Sequence, residues 1–182
     1  PKLLACQFLP QADARLCESL GLPKRAKNRS LALVTCDQDD SLYAALDHAT
    51  KTARVEVIYG KSFYAGSAHS SGPYSGEAMG VLAAADPDVV AEGVAGLQFA
   101  LEELFAFYQA MSGGPAFFPT VIPSCGEYLA KLAEVPRGTP LGYFIAPPVE
   151  AMMGVDAALK VADVRLCKFF GPPTETNFAG CY

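Results

Sequence analysis

Hydrophobic positions along this chain fall into short runs whose period changes repeatedly. "LLACQFLP" (3–10) and "AFFPTVIP" (116–123) are apolar runs closed by proline, the pattern of strands bounded by breakers. "SLALVTC" (30–36) and "TPLGYFIA" (139–146) read the same way. In "RVEVIYG" (54–60), Val55 and Val57 alternate with Arg54 and Glu56, which suits a strand with one wet face. "DVRLCKFFG" (163–171) holds the matching place later in the chain. Between these runs the period lengthens to three or four. Leu42, Ala45, Leu46 and Ala49 predict a helix over 41–53, and Val155, Ala158, Leu159 and Ala162 predict one over 150–162. "QADARLCESLGL" (11–22) and "SCGEYLAKLAEV" (124–135) are also helical. "EAMGVLAAA" (77–85) predicts a further strand. A long helix follows over 86–111, with Asp86 as N-cap and Pro87 in its first turn.

The elements occur twice. Residues 47–55 read "DHATKTARV" and residues 156–164 read "DAALKVADV", both D-x-A-x-K-x-A-x-V, at an offset of 109. At that offset Phe8, Pro10, Glu18 and Leu20 also meet Phe117, Pro119, Glu127 and Leu129. "SGGP" (112–115) separates the copies, so the domains are read as 1–111 and 112–182. Each copy is expected to be an α+β sandwich, an antiparallel or mixed sheet covered by helices on one face. The second copy is expected to lack its final strand and helix. The chain is therefore read as truncated, or as missing residues near its C-terminus so that Cys181–Tyr182 do not directly follow Gly180.

Composition narrows the function. The chain is 51% hydrophobic and 18% charged, enough apolar material for a sizeable core. A net charge of −5 argues against nucleic acid or an anionic membrane as partner. No apolar run has the length of a membrane span, and the N-terminus lacks the order of a secretory signal. The "NRS" triplet at 28–30 therefore carries no weight as a glycosylation site. The six cysteines form no C-x-x-C pair and are expected to be reduced thiols in a cytoplasmic protein.

The residues with chemistry are few. "CDQDD" (36–40) sits where a strand gives way to a helix, and Asp39 or Asp40 would cap that helix. His48 and His69 are isolated and imply no metal, and no cofactor is expected. Cys36, Asp37 and His69 make a conceivable nucleophilic set, but nothing in their spacing supports one. The loop Tyr64, Ala65, Gly66, Ser67, Ala68, His69, Ser70, Ser71, Gly72 has the length and glycine content of a functional loop. Pro172, Pro173, Thr174, Glu175, Thr176 and Asn177 are its second-copy equivalent. Lys51 and Lys160 close matching helices, where the helix dipole favours a cation.

The repeated phrase, with "DQDDSLYAALDHATKTARVEVIYGKSFYAGSAH" and "APPVEAMMGVDAALKVADVRLCKFFGPPTETNFAG", resembles the tandem-domain, circularly permuted bacterial microcompartment shell proteins of the EutL type, found in ethanolamine- and ethanol-utilising compartments. The resemblance implies a tandem repeat of two ferredoxin-like, permuted α/β sandwich domains. It implies a homotrimer whose six domains make a hexagon-shaped tile that joins other shell proteins edge to edge in the cytoplasm. The two loops would line a threefold pore, able to open and close and admitting small metabolites. Lys51 and Lys160 would lie at the tile edge. Asp39, Asp40, Glu77 and Phe107 would surround a small opening within each subunit, suited to a small ammonium ion. No catalysis is implied. The alternatives are a small-molecule-binding regulator on a duplicated ferredoxin-like fold, and an enzyme using Asp39, Glu77 and Cys36.

Overall fold

The computed structural model describes residues 1–23, 26–27, 29–63, 78–172, 174 and 178–182. The chain divides into two compact units, Pro1–Phe105 with Gly126–Tyr128, and Ala106–Cys125 with Leu129–Tyr182. The first contains β1 (Leu3–Leu9), α1 (Ala14–Ser19), β2 (Ser30–Cys36), α2 (Asp39–Thr52), β3 (Glu56–Ser62), β4 (Ala78–Ala84) and α3 (Pro87–Glu103). The second contains β5 (Tyr108–Gln109), β6 (Ala116–Ile122), β7 (Leu141–Ala146), α5 (Pro148–Val161), β8 (Phe169–Phe170) and β9 (Ala179–Cys181). Helix α4 (Glu127–Ala133) places its first two residues with the first unit.

The sheet of the first unit runs β1-β2-β4-β3, antiparallel throughout. Its central strands are buried on both faces. Leu46 of α2 lies against Gly80 and Val34, and Gly93 of α3 lies against Val55 and Leu82. The alternate residues Leu31, Val81 and Ala83 pack instead with Cys17 of α1, Ala12 and Leu22. Helices therefore cover both faces, not one as the hydrophobic pattern suggested. The near-continuous burial of "SLALVTC" is the mark of a strand enclosed in this way.

The second sheet runs β5-β6-β7-β9-β8 and is also antiparallel. Its strands β6-β7-β9-β8 repeat the order β1-β2-β4-β3. Ala179–Cys181 thus hold, between β7 and β8, the place β4 holds between β2 and β3. The sequence pattern assigned no strand there. It also made 163–171 a full strand, yet only Phe169–Phe170 pair. A partner of three residues offers no ladder beyond that, apart from Cys167 and Lys168, whose N–H groups donate to Tyr182 O at 2.9 and 3.3 Å. The helix expected to run to 111 stops at Glu103. There the N–H groups of Leu104 and Phe105 both turn back to Ala100 O, at 3.0 Å each, and the aromatic stretch beyond supplies β5.

The two copies do not keep one offset. Helices α2 and α5 match at 109, but the first helices match at 113. Gly21 and Glu134 both hold positive φ, 96° and 56°. Leu22 N–H donates to Cys17 O where Val135 N–H donates to Ala130 O, and Ala12 N–H donates to Arg29 O where Cys125 N–H donates to Thr139 O. The extra residues of the first copy lie between α1 and β2. The identities at Phe8, Pro10, Glu18 and Leu20 therefore join positions that are not equivalent.

Helix α5 buries only Ala151 and Val155 against its sheet, and Met153 and Val161 are 67% and 84% exposed. Beside it lies an apolar groove of ≈ 290 Å³ lined by Val155, Ala158, Leu159, Val164 and Leu166 among others. At offset 109, Val161 and Val164 stand for Thr52 and Val55, on which Gly96 and Gly93 of α3 rest in the first unit. The groove corresponds to a helix seat, so its shape is no argument for a small-molecule pocket.

Candidate functional site

The sequence at the start of α2 is built to hold two carboxylates out of water. Gln38 occupies the N-cap without a side-chain cap bond, and Asp39 and Asp40 fill the first turn, where the positive end of the helix dipole favours anions. Both are buried. The Asp40 N–H donates to Asp39 Oδ1 at 2.8 Å, and the Ser41 hydroxyl donates to Gln38 Oε1 at 2.9 Å. Burial pushes the Asp39 carboxyl above the ordinary carboxylate range, opposed by hydrogen bonds from its own and the Asp40 N–H and from Ser62.

One turn further on, Tyr43 shares the Ser62 hydroxyl and sits with its ring 6.4 Å from that of Tyr128. Burial raises both phenols, Tyr128 to about 12, so both are neutral hydrogen-bond donors at physiological pH. Tyr43, Ser62 and Tyr128 join the site without having been singled out in the sequence. Tyr43 lies four residues after Asp39, on the same helix face, and that spacing was the available signal. Of the other expected members, Glu77 lies outside the described residues. Phe107 belongs to the second unit, where its ring packs at a tilt against Phe118 and Phe178 at 5.3 and 6.2 Å.

The two lysines of the repeat have different surroundings. Lys51 pairs with Asp47 at 3.8 Å, its side chain 26% exposed and that of Asp47 fully buried. Lys160 pairs with Asp156 at 2.6 Å, both well exposed. Asp47 also accepts the Gly126 N–H on Oδ2 at 2.6 Å, and Thr50 Oγ1 accepts the Glu127 N–H at 3.0 Å.

The expected pore loops fall largely outside the described residues. Tyr64, Ala65, Gly66, Ser67, Ala68, His69, Ser70, Ser71, Gly72, Pro173, Glu175, Thr176 and Asn177 are all beyond them. Pro172 and Thr174 are described, and the Thr174 hydroxyl donates to Phe178 O at 2.8 Å. Among the described residues no cluster of three metal-ligating side chains occurs, and no helix is long and apolar enough to cross a membrane. All six cysteines are unpaired. Burial pushes the Cys36 thiol up to about 11 and it donates to Asp37 Oδ1 at 3.7 Å, so at neutral pH it is a protonated core thiol rather than a nucleophile. His48 packs on Phe99 at 6.1 Å and is pushed down by burial and by Lys51.

No family model matches the chain. It is 40% identical over 181 residues to the bacterial microcompartment shell protein EutL of Clostridium perfringens, covering 99% of this chain and 82% of that one. The crystal structure of the ethanolamine utilization protein EutL from Leptotrichia buccalis superposes with a TM-score of 0.93 at 45% identity, over 99% of this chain and 82% of the other. A trimeric bacterial microcompartment shell protein, PduB, shares the fold at a TM-score of 0.76 and 18% identity, over 97% of this chain and 76% of its own. The doubled strand order and the paired D-x-A-x-K helices sit within that likeness, and at such identity over almost its whole length the chain belongs to the EutL family of bacterial microcompartment shell proteins.

Proposed function

We propose that this shell protein is a homotrimer whose six domains, 1–111 and 112–182 of each chain, form a hexagon-shaped tile. Tiles join edge to edge with other shell proteins through Lys51 and Lys160. The loops 64–72 and 172–177 ring a threefold pore that opens and closes to small metabolites, ethanolamine among them, without turnover by the tile itself. One observation carries the reading: the strand order β1-β2-β4-β3 recurs as β6-β7-β9-β8 within one chain. Two similar blocks in one polypeptide let three chains close a ring of six by one repeated contact. The trimeric neighbour of the same fold supports that closure.

Asp39 and Asp40 form a site for a small ammonium ion. Buried carboxylates beside neutral Tyr43 and Tyr128 supply the acceptors, and a cation would offset the desolvation of Asp39.

Native mass spectrometry and electron microscopy test the tile. A trimer that forms flat hexagonal arrays is expected. Lys160→Glu should keep the trimer and abolish the arrays, and it is the cleaner variant because Lys51 also balances buried Asp47. A chain that stays monomeric, or a Lys160→Glu trimer that tiles normally, refutes the corresponding part. For the ammonium site, calorimetry should show ethanolamine binding at millimolar levels that Asp39→Asn removes.

A further inference from the structure

The strip Gly126–Tyr128 belongs to the first unit because the second half of α2 holds it: Asp47 takes the Gly126 N–H and Thr50 takes the Glu127 N–H. The second unit carries the same helix positions on α5. Asp156 stands for Asp47 and Leu159 for Thr50, and both are exposed, the Asp156 side chain by 63%. By the 113-residue offset, the counterpart of Gly126–Tyr128 is Asp13–Arg15, the turn that opens α1. That turn is bare as well. The Arg15 side chain is 91% exposed, and Leu16 is 41% exposed where its equivalent Leu129 is fully buried.

We infer that in the assembled protein the Asp13–Leu16 turn of a second copy of this chain seats on α5, with its Arg15 guanidinium on the Asp156 carboxylate. The inference rests on the trimeric tile proposed above and names one contact that closes it. The backbone bond of the first unit cannot be copied there. A Cβ at position 126 would meet the Asp47 backbone oxygen at 2.5 Å, so the close approach requires glycine, and Asp13 has a Cβ. Leu159 has no hydroxyl to replace that of Thr50. A longer reach is needed, and Arg15 supplies it, with a planar fork that fits a carboxylate in a bidentate pair. Leu16, on the same turn, meets Leu159, 43% exposed, so that an apolar contact flanks the ion pair. Asp13 already pairs with Arg15 at 3.0 Å, so the contact sets the guanidinium between two carboxylates.

Charge reversal tests it on the full chain, with circular dichroism confirming that the variants fold. Arg15→Glu and Asp156→Arg should each raise the trimer dissociation constant by about tenfold or more, because like charges then face across the contact. The double variant, with the charges exchanged, should restore assembly to within about threefold of wild type. A wild-type trimer indifferent to both single reversals overturns the pairing and leaves the tile standing. So does a double variant as weak as the singles. A wild-type chain that never trimerises overturns the tile reading itself.

Discussion

Gly126→Ala should be a damaging substitution in the first unit, because the Cβ it adds meets backbone as well as side chain. The added Cβ would fall against Thr50 Oγ1, at 2.5 Å from the backbone oxygen of Asp47 and at 2.8 Å from Asp47 Oδ1. The Thr50 hydroxyl has little freedom to move, since it donates to Asp47 O at 2.7 Å and accepts the Glu127 N–H. The Asp47 carbonyl is part of α2 and has none. The strip at 126–128 must lift, which opens the 2.6 Å bond from the Gly126 N–H to the buried Asp47 carboxylate. Overpacking a tight site costs about 1–3 kcal/mol, and losing a hydrogen bond to a buried charge about 1.5–3 kcal/mol. The two overlap, because the lift that relieves one causes the other, so about 3 kcal/mol is expected. Gly142→Ala is the control, since nothing lies within 4 Å of its Cβ inside β7, and it should cost nothing and stabilise by up to about 1 kcal/mol. Urea denaturation followed by circular dichroism measures both. Asp47→Ala combined with Gly126→Ala should cost clearly less than the sum of the two, since they remove the same bond. If Gly126→Ala costs less than about 1 kcal/mol, the strip is not held as described.

Asp39→Asn should stabilise the protein at neutral pH. The folded state raises the Asp39 carboxyl above its ordinary value, so it takes up a proton there before the unfolded chain does. Its contribution is therefore most favourable below the ordinary carboxylate value of 3.8 and is lost as pH rises through the raised one. The Asn variant should melt higher than wild type at neutral pH, with the gap closing as the pH falls towards that value; a gap that does not close refutes the assignment. Glu134→Gly should stabilise by about 1 kcal/mol by relieving a left-handed side-chain-bearing residue, while Gly21→Ala, at the equivalent turn, should cost about as much. Opposite signs in thermal melts confirm that the two turns correspond, and a shared sign removes the 113-residue match.

The legible part of this molecule was periodic. The apolar run "SLALVTC" and the three-to-four spacing of Leu42, Ala45, Leu46 and Ala49 marked β2 and α2 to within two residues. What periodicity could not show was packing on the far side of a strand, because a strand buried on both faces loses its alternation; hence α1 was expected on the wrong side of the sheet. It could not show β9 either. Ala179–Cys181 have neither β-branching nor alternation, and they are a strand only because β7 and β8 flank them. Ungapped comparison failed where the copies differ in a connection rather than an element. For the site, the acidic pair was visible as composition, whereas Ser62 reaches it from the end of β3, more than twenty positions along the chain.

The repeated D-x-A-x-K phrase means two different things in one chain. In the first copy its aspartate is fully buried and anchors Gly126, and its lysine pairs with that carboxylate at 3.8 Å. A buried carboxylate without such partners would cost several kcal/mol, roughly, so this copy cannot exchange its aspartate. In the second copy the same pair is exposed, and an exposed i,i+4 pair is worth only about 0.3–0.5 kcal/mol. Stability of the isolated chain gives little reason to keep Asp156. The proposed ring of alternating copies would give one, because a position that is interior in one half would become a junction between chains in the other. An Asp156→Ala variant should thus melt like wild type as a monomer and assemble less well, and the separation of those two readouts is what distinguishes a residue kept for assembly from one kept for folding.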